Sequence, residues 1–242
     1  MLTPPEIARS LLAAGESKAR LPFGKMLLLA ILAGAYIALA GVGATAAAVT
    51  VESGSLAKLL SACVFPAGLS MVILAGSELF TGNCLKVMAL LERRITPAQL
   101  LRNWLTVYLG NAMGGAAVAA LAVYSHTASL FGDGLARSMV SIAESKAALG
   151  AGDAFLRGVL CNFLVCLAVW MAAASKRAEG KVIALFFPIL LFVLCGYEHC
   201  IANLYYLPAG AFAAAEYGME TTLTLAGCLK NLAAVTLGNL VG

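Results

Sequence analysis

The side chains of this sequence that could do chemistry are few, and they lie where long apolar segments are interrupted. His199 directly follows Glu198 in the stretch Gly196–Asn203, which divides an apolar run. A histidine ring can donate or accept a hydrogen bond and titrates near neutral pH, so it can hold or pass a proton. The second histidine, His126, lies in a loop and is interpreted as an ordinary surface residue. His199 is therefore the first candidate for a functional side chain.

The interruption at His199 has a counterpart in the first half of the sequence. Glu78 and Asn83 occupy a Gly-x-Glu-x-x-x-x-Asn pattern that recurs 120 residues later with Glu198 and Asn203. A Gly-Asn-x-x-Gly motif at residues 110–114 recurs 128 residues later, and we interpret it as a face for close helix packing. The two carboxylates admit two interpretations, a proton relay or caps for the ends of broken helices, of which we favour caps. Two matches in the same order predict a duplication.

The composition predicts that lipid surrounds the chain. Of its 242 residues, 62% are apolar and 12% are charged, and the mean hydropathy is +0.92. A soluble domain carries about twice that share of charged residues, because its surface faces water. No cluster of basic residues with interleaved aromatics suggests a nucleic-acid partner. The runs long enough for a membrane span of about 20 residues lie near 26–51, 56–80, 98–124, 154–174, 181–213 and 223–242.

These runs predict an all-α membrane protein with six transmembrane spans, in which spans 2 and 5 are broken helices. Each half has three spans, an odd number, so the second copy enters the membrane from the opposite side. We therefore expect an inverted 3+3 repeat with halves at about 26–124 and 154–242. Residues 1–25 are predicted to form an amphipathic helix at the membrane interface, and residues 26–242 a single transmembrane pore domain. Basic residues concentrate on the side of both termini, which predicts that the termini are cytoplasmic.

Missing motifs disfavour several other classes of protein. No HExxH, GxSxG, phosphate-binding loop or paired acid–base set suggests an enzyme, and the seven cysteines have no metal-binding spacing. We therefore expect no cofactor, no metal and no disulfide framework. Water and glycerol channels carry paired Asn-Pro-Ala boxes, which this sequence lacks. An aquaporin-like channel for a small neutral solute and a non-transporting membrane assembly subunit stay open as alternatives.

Several stretches resemble the formate/nitrite transporter family: Ala75–Asn83, Gly158–Trp170, Gly196–Asn203 and both copies of Gly-Asn-x-x-Gly. The resemblance covers nearly the whole chain. It implies an aquaporin-like protomer with its own pore, a homopentamer, a place in the bacterial cytoplasmic (inner) membrane, and passage of small monovalent anions such as formate, nitrite or hydrosulfide. In that family the sixth span continues past the last motif, whereas this sequence stops at Gly242, so the end of span six is left open.

The resemblance assigns a central group of polar residues. A central histidine matches His199, the threonine that faces it matches Thr81, and an asparagine of the fourth span matches Asn162. A bare anion in an apolar slot loses hydration worth on the order of tens of kcal/mol, so it needs fixed hydrogen-bond donors or a proton that neutralises it. Thr81 and His199 can supply either, and protons are therefore expected as a second partner.

The resemblance also assigns two apolar constrictions and one cation. Leu79, with Phe80 beside it, matches the constriction on the cytoplasmic side, and Phe192 matches the other constriction. A lysine of the outer loop before span four matches Lys146, whose charge would raise the local anion concentration. Lys86, in contrast, is interpreted as an interfacial lysine whose ammonium reaches water. The sequence decides neither which anion passes, nor in which direction, nor whether a proton accompanies it.

Overall fold

The computed structural model describes residues 1–242, and its regular structure is helical throughout, without strands. Twelve α-helices follow one another, together with two short 3-10 turns at Cys84–Lys86 and Thr127–Ser129. The α-helices are α1 (Pro4–Ala19), α2 (Phe23–Ala48), α3 (Gly54–Val64), α4 (Pro66–Ala75), α5 (Phe80–Asn83), α6 (Val87–Leu91), α7 (Pro97–Tyr124), α8 (Gly134–Ala148), α9 (Ala151–Ala173), α10 (Ala178–Leu194), α11 (Cys200–Glu216) and α12 (Leu225–Val241).

Four of the predicted runs are single stretches long and apolar enough to cross a membrane. These stretches are Phe23–Ala48, Gly54–Ala75, Pro97–Tyr124 and Ala151–Ala173. The run near 181–213 is divided between α10 and α11, and the run near 223–242 contains α12. Each of these three helices has 17 residues, shorter than a full span of about 20 residues.

The long helices turn large apolar side chains outward. Leu109, Phe163 and Leu237 expose 61%, 62% and 59% of their surface, and each lies on a different helix. Contact of apolar surface with water costs about 25 cal/mol per Å². Lipid removes that cost, so this outer surface suits a bilayer.

The chain leaves helical geometry between α4 and α5 and again between α10 and α11, as the sequence predicts. Gly76 and Gly196 follow α4 and α10 with φ of 77° and 69°. Glycine enters this left-handed region without the steric cost that a Cβ brings, so it ends a helix readily. The two breaks therefore have the same local cause.

Two helix pairs approach closely, α2 with α7 and α9 with α12. A Cβ added at Gly114 of α7 would overlap the carbonyl group of Ile31 in α2, and one added at Gly238 of α12 would overlap that of Phe155 in α9. Small residues allow backbones in a membrane to pack at such short range. Both copies of Gly-Asn-x-x-Gly lie at these contacts, as expected for a packing motif.

Two shorter helices lie against the long ones. Helix α1 falls within the predicted segment 1–25 and buries Ile7 and Leu12. The prediction that Lys146 lies in an outer loop is wrong, because Gly134–Ala148 forms helix α8. Leu135 and Met139 are buried one turn apart on this helix, which is too short and too polar to be recognised as a span.

Candidate functional site

The first residues after the two helix breaks lie against each other. Leu79 and His199 immediately precede α5 and α11, and their extended backbones have φ of −106° and −113°. Thr81 Oγ1, in the first turn of α5, lies 2.9 Å from His199 Nε2. Thr81 is fully buried and His199 is 3% exposed. The structure thus brings together the threonine and the histidine that the sequence singles out.

The hydrogen bonds of His199 define which ring nitrogen carries the proton. His199 Nδ1 accepts a hydrogen bond from the backbone N–H of Ala202 at 3.1 Å, which caps the start of α11. A neutral ring that accepts at Nδ1 carries its proton at Nε2, so Nε2–H donates to Thr81 Oγ1. The hydroxyl proton of Thr81 is then free to point toward another acceptor. The pair presents a hydrogen-bond donor that the protein itself does not use.

Aromatic and aliphatic side chains enclose this pair. The Phe192 ring stacks on the His199 ring with centroids 5.8 Å apart, and Phe65 packs edge-on against Phe192 at 5.7 Å. Leu79, Phe192 and His199 line one small apolar void. The Phe80 ring is directed elsewhere, packing at 5.1 Å against the ring of Tyr108.

A cavity of about 740 Å³ leads to His199 from the side of α8. Its lining contains three cationic side chains, Lys58, Arg137 and Lys146, and one carboxylate, that of Glu198. The walls therefore carry a surplus of positive charge. A concave wall of one sign raises the local concentration of ions of the opposite sign.

Asn162 joins the first break to the last helix. Its side-chain amide donates to the carbonyl of Asn239 at 2.6 Å and, in a longer contact of 3.4 Å, to the carbonyl of Thr81. Asn162 Oδ1 is buried and has no hydrogen-bond partner within the protein. Asn162 therefore helps to position Thr81 through its backbone carbonyl.

Glu78 is the centre of a buried cluster on the side of α1. Its carboxylate lies 2.7 Å from Lys18 Nζ and 3.2 Å from Lys86 Nζ, and it accepts a hydrogen bond from Asn83 at 2.9 Å. Asn103 Oδ1 accepts from Asn83 and Lys86 at 3.1 and 2.7 Å. The interpretation of Glu78 as a helix cap is wrong, because its carboxylate binds side chains. The interpretation of Lys86 as an interfacial residue is also wrong, since it is 4% exposed.

Glu198 is the centre of a matching cluster on the side of α8. Its carboxylate oxygens accept from Lys146 Nζ at 2.9 and 3.0 Å, and one of them accepts from Asn203 at 2.7 Å. Asn203 also donates to Asn231 Oδ1 at 2.8 Å. The cap interpretation fails here as well. Lys146 is an ion-pair partner in the cavity wall, so its charge is largely balanced.

The backbone at each break is held by an asparagine of Gly-Asn-x-x-Gly. Asn111 accepts from Phe80 N–H at 2.9 Å and donates to the carbonyls of Ala30 and Glu78 at 2.7 and 2.9 Å. This asparagine completes hydrogen bonds that the broken helix leaves unmade. The interpretation of the motif as a packing face alone misses this role.

Asn239 does the same for the second break. It accepts from Cys200 N–H at 2.8 Å and donates to the carbonyls of Gly158 and Glu198 at 2.8 and 2.9 Å. The signal that could have revealed the role was the repetition itself. The side-chain amide of the repeated asparagine can donate to a backbone carbonyl and accept from a backbone N–H at the same time.

Corresponding residues of the two halves recur at two offsets along the chain, 120 residues at the glutamates and 128 residues at other contacts. Asn111 and Asn239 are 128 residues apart, and so are Lys18 and Lys146. Lys18 lies on α1 and Lys146 on α8, and each binds the glutamate of its own break. The correspondence therefore includes α1 and α8, which lie outside the predicted halves 26–124 and 154–242.

The described residues contain no group of three or more histidine, cysteine, aspartate or glutamate side chains arranged to hold a metal ion. All seven cysteines are free thiols. Five of them, at positions 84, 161, 166, 200 and 228, are buried or half-buried. They act as small apolar packing residues there.

Comparison with known proteins agrees with this architecture. The family model described as "Formate/nitrite transporter" matches residues 5–242. The chain is 37% identical, over 99% of its own length and 92% of the relative's, to a probable formate transporter of Methanothermobacter thermautotrophicus. The solved structure of an "FNT family ion channel" superposes with a TM-score of 0.87 at 31% identity, covering 98% of this chain and 94% of that chain.

A second solved structure contains a bound ligand. It is described as a "Pentameric formate channel with formate bound" and superposes with a TM-score of 0.81 at 32% identity, covering 91% of this chain and 92% of that chain. The match of the family model over nearly all residues, with relatives aligned along almost their whole length, establishes the family. The chain belongs to the formate/nitrite transporter family.

Proposed function

We propose that this chain passes small monovalent anions, namely formate, nitrite or hydrosulfide, through the junction of its two helix breaks. The observation that carries the proposal is the buried contact of 2.9 Å between Thr81 Oγ1 and His199 Nε2, enclosed by Leu79 and Phe192. A polar pair between apolar walls suits a solute that loses its hydration only while it crosses the short segment between Leu79 and Phe192. The similarity to a channel solved with formate bound supports this substrate class.

The protein compensates a dehydrated anion with fixed donors. The Thr81 hydroxyl proton is free to donate, because Thr81 Oγ1 already accepts from His199. Hydrogen bonds to a charged acceptor are about twice as strong as neutral ones, so a single preset donor matters. Lys58 and Arg137 in the cavity wall gather anions ahead of the Phe192 constriction, whereas Glu198 largely balances the charge of Lys146.

We also propose that His199 can pass a proton to a weak-acid anion. The ring takes up a proton from water at Nδ1 when the hydrogen bond from Ala202 N–H opens. Nε2 then gives its proton to Thr81 Oγ1, and the Thr81 hydroxyl gives its own proton to the anion. The neutral acid crosses the next constriction, and the ring returns to its first tautomer by losing the Nδ1 proton and gaining one at Nε2 from water. Charge and protons balance at each step.

The proton step is tested with His199→Asn in proteoliposomes under a pH gradient. Asparagine is a good helix N-cap, so it preserves the start of α11 while removing the titratable ring. We expect acid-linked uptake and the signal of an interior pH dye to disappear while the protein stays folded. A wild-type pH dependence in this variant would leave His199 as a hydrogen-bond donor only.

The arrangement in the membrane is part of the proposal. We infer six spans as an inverted repeat, with cytoplasmic termini, in a homopentamer of the bacterial inner membrane. The recurrence of matching residues at offsets of 120 and 128 supports the repeat, and the similarity to a pentameric formate channel supports the assembly. Native mass spectrometry in mild detergent should give a fivefold species, and a stable monomer across several detergents would contradict the assembly.

Uptake of radiolabelled formate into proteoliposomes tests the substrate class. We expect uptake well above that of protein-free liposomes, reduced by unlabelled nitrite and hydrosulfide and unaffected by glycerol. Absence of formate uptake together with glycerol permeation would contradict anion passage and would favour a channel for neutral solutes.

A further inference from the structure

The two glutamate clusters differ in one residue. Position 86 in the first corresponds to position 206 in the second, 120 residues later, and carries lysine where the second carries tyrosine. Lys86 Nζ lies 3.2 Å from Glu78 Oε2 and donates to Asn103 Oδ1 at 2.7 Å. Tyr206 brings an aromatic ring instead, with the Lys146 ammonium 5.4 Å from its centroid. The residue at this position decides the charge of its cluster.

The first cluster carries a surplus positive charge and the second does not. Lys18 and Lys86 contribute two positive charges around the single carboxylate of Glu78, which leaves a net charge of +1. Lys146 and Glu198 contribute one charge of each sign, which cancel. The side chains of Lys86 and Glu78 are 4% and 2% exposed and that of Lys18 is 39% exposed, so water screens the charge of Lys86 less than that of Lys18.

We propose that Lys86 serves as an anion station on the α1 side of the pore and draws the permeating anion toward the Leu79 constriction. The proposal rests on the proposed function and names a residue that controls entry of the anion from the α1 side. Glu78, which Lys86 contacts, immediately precedes Leu79 in the chain, so the surplus charge lies beside this constriction. Two ammonium protons of Lys86 bind Glu78 and Asn103, and the third has no partner in the protein.

A purely structural task does not account for Lys86. Lys18 Nζ lies 2.7 Å from Glu78 Oε1, so this carboxylate already has a counter-ion. In the second cluster a single lysine, Lys146, neutralises Glu198. Burying a further ammonium costs desolvation energy that a second carboxylate would have to offset, and the first cluster has none. A passing anion supplies the missing negative charge.

The α8 side obtains its positive charge differently. Lys58 and Arg137 line the cavity there, and both are exposed to solvent. Charges in contact with water act at longer range only at low salt, because the Debye length is about 8 Å at physiological ionic strength. The two faces therefore respond differently to removal of a single buried cation, and Lys86 affects only the α1 face.

The experiment measures transport from each face separately. Membrane vesicles of both orientations carry the protein with an N-terminal epitope, and antibody access to the epitope identifies the α1 face. In Lys86→Gln, which keeps an amide donor and removes the charge, the half-saturating formate concentration at the α1 face should rise about threefold to tenfold. The value at the α8 face should not change. High salt should leave most of the shift in place, because salt screens a buried charge less than an exposed one.

Two further variants make the comparison specific. Arg94→Gln removes an exposed positive charge in the turn after α6 and should change neither face. Lys86→Tyr installs the side chain of the second cluster and should reproduce the one-sided shift.

Several results would overturn the proposal. An equal shift at both faces, no shift at either face, or the failure of both Lys86 variants to form stable oligomers would show that Lys86 has only a structural role. A wild-type protein without formate transport at either face is a separate result, because it would contradict the proposed function itself.

Discussion

Replacing Asn111 by alanine should destabilise the protein more than any exposed substitution on the same helix. The change removes the acceptor for Phe80 N–H and both donors, to the carbonyls of Ala30 and Glu78. Asn111 is fully buried, so water cannot replace these hydrogen bonds. An unpaired buried group costs about 1–3 kcal/mol, and the two carbonyls can keep part of their bonding elsewhere. We therefore expect a loss of about 3–5 kcal/mol.

The loss is measured as the unfolding free energy or the melting temperature of the purified protein in one detergent. Asn239→Ala should cost about as much as Asn111→Ala, because it removes the same three kinds of hydrogen bond at the second break. Met113→Ala is the matched control on α7, since Met113 is 54% exposed and should change stability by less than about 1 kcal/mol in detergent. A loss in Asn111→Ala no larger than in Met113→Ala would refute the assignment of Asn111 as the support of the first break.

Two further predictions concern helix packing and acid sensitivity. Gly114→Ala should abolish the close contact of α7 with α2 and lower the yield of folded protein, whereas Gly24→Ala should have little effect on yield because no atom lies within 4 Å of the new Cβ. Hydrogen bonds from the Thr222 backbone and from the Thr221 side chain lower the pKa of Glu144 below its ordinary value of 4.5. The contact stabilises the protein above pH 4.5, and this stabilisation is lost as pH falls through the lowered pKa. Hydrogen exchange of the Thr222 amide, corrected for its intrinsic rate, should therefore accelerate in acid in the wild type. In Glu144→Ala it should already be fast at neutral pH.

The positions of the breaks can be predicted from the sequence because their causes are local. A glycine followed by polar residues at membrane depth interrupts a helix wherever it occurs, and the repeated spacing around Glu78 and Glu198 marks both places. The sequence misses helix α8 for an equally local reason. Its 15 residues are amphipathic and too polar for the hydropathy pattern of a span, so they resemble a loop.

The partners of the charged residues cannot be predicted in this way, because they are contacts across the fold. Lys146 and Glu198 are 52 residues apart, and Lys18 and Glu78 are 60 apart, yet both pairs form buried or half-buried ion pairs. No pattern of neighbouring residues encodes such a pairing. The match between Lys18 and Lys146 becomes visible only when the contacts themselves are compared.

The central claim is that the anion path runs between Thr81 and His199, and Thr81→Val tests it most directly. Valine preserves the shape of the threonine side chain and removes only the hydroxyl, which accepts from His199 Nε2 and which we propose donates to the anion. The measurement is the initial rate of labelled formate uptake into proteoliposomes that contain equal amounts of folded oligomer, with protein-free liposomes as background. A buried hydroxyl that binds an anion contributes about 1.5–3 kcal/mol, so the rate should fall about tenfold or more. A rate equal to that of the wild type would place the path elsewhere and contradict the account.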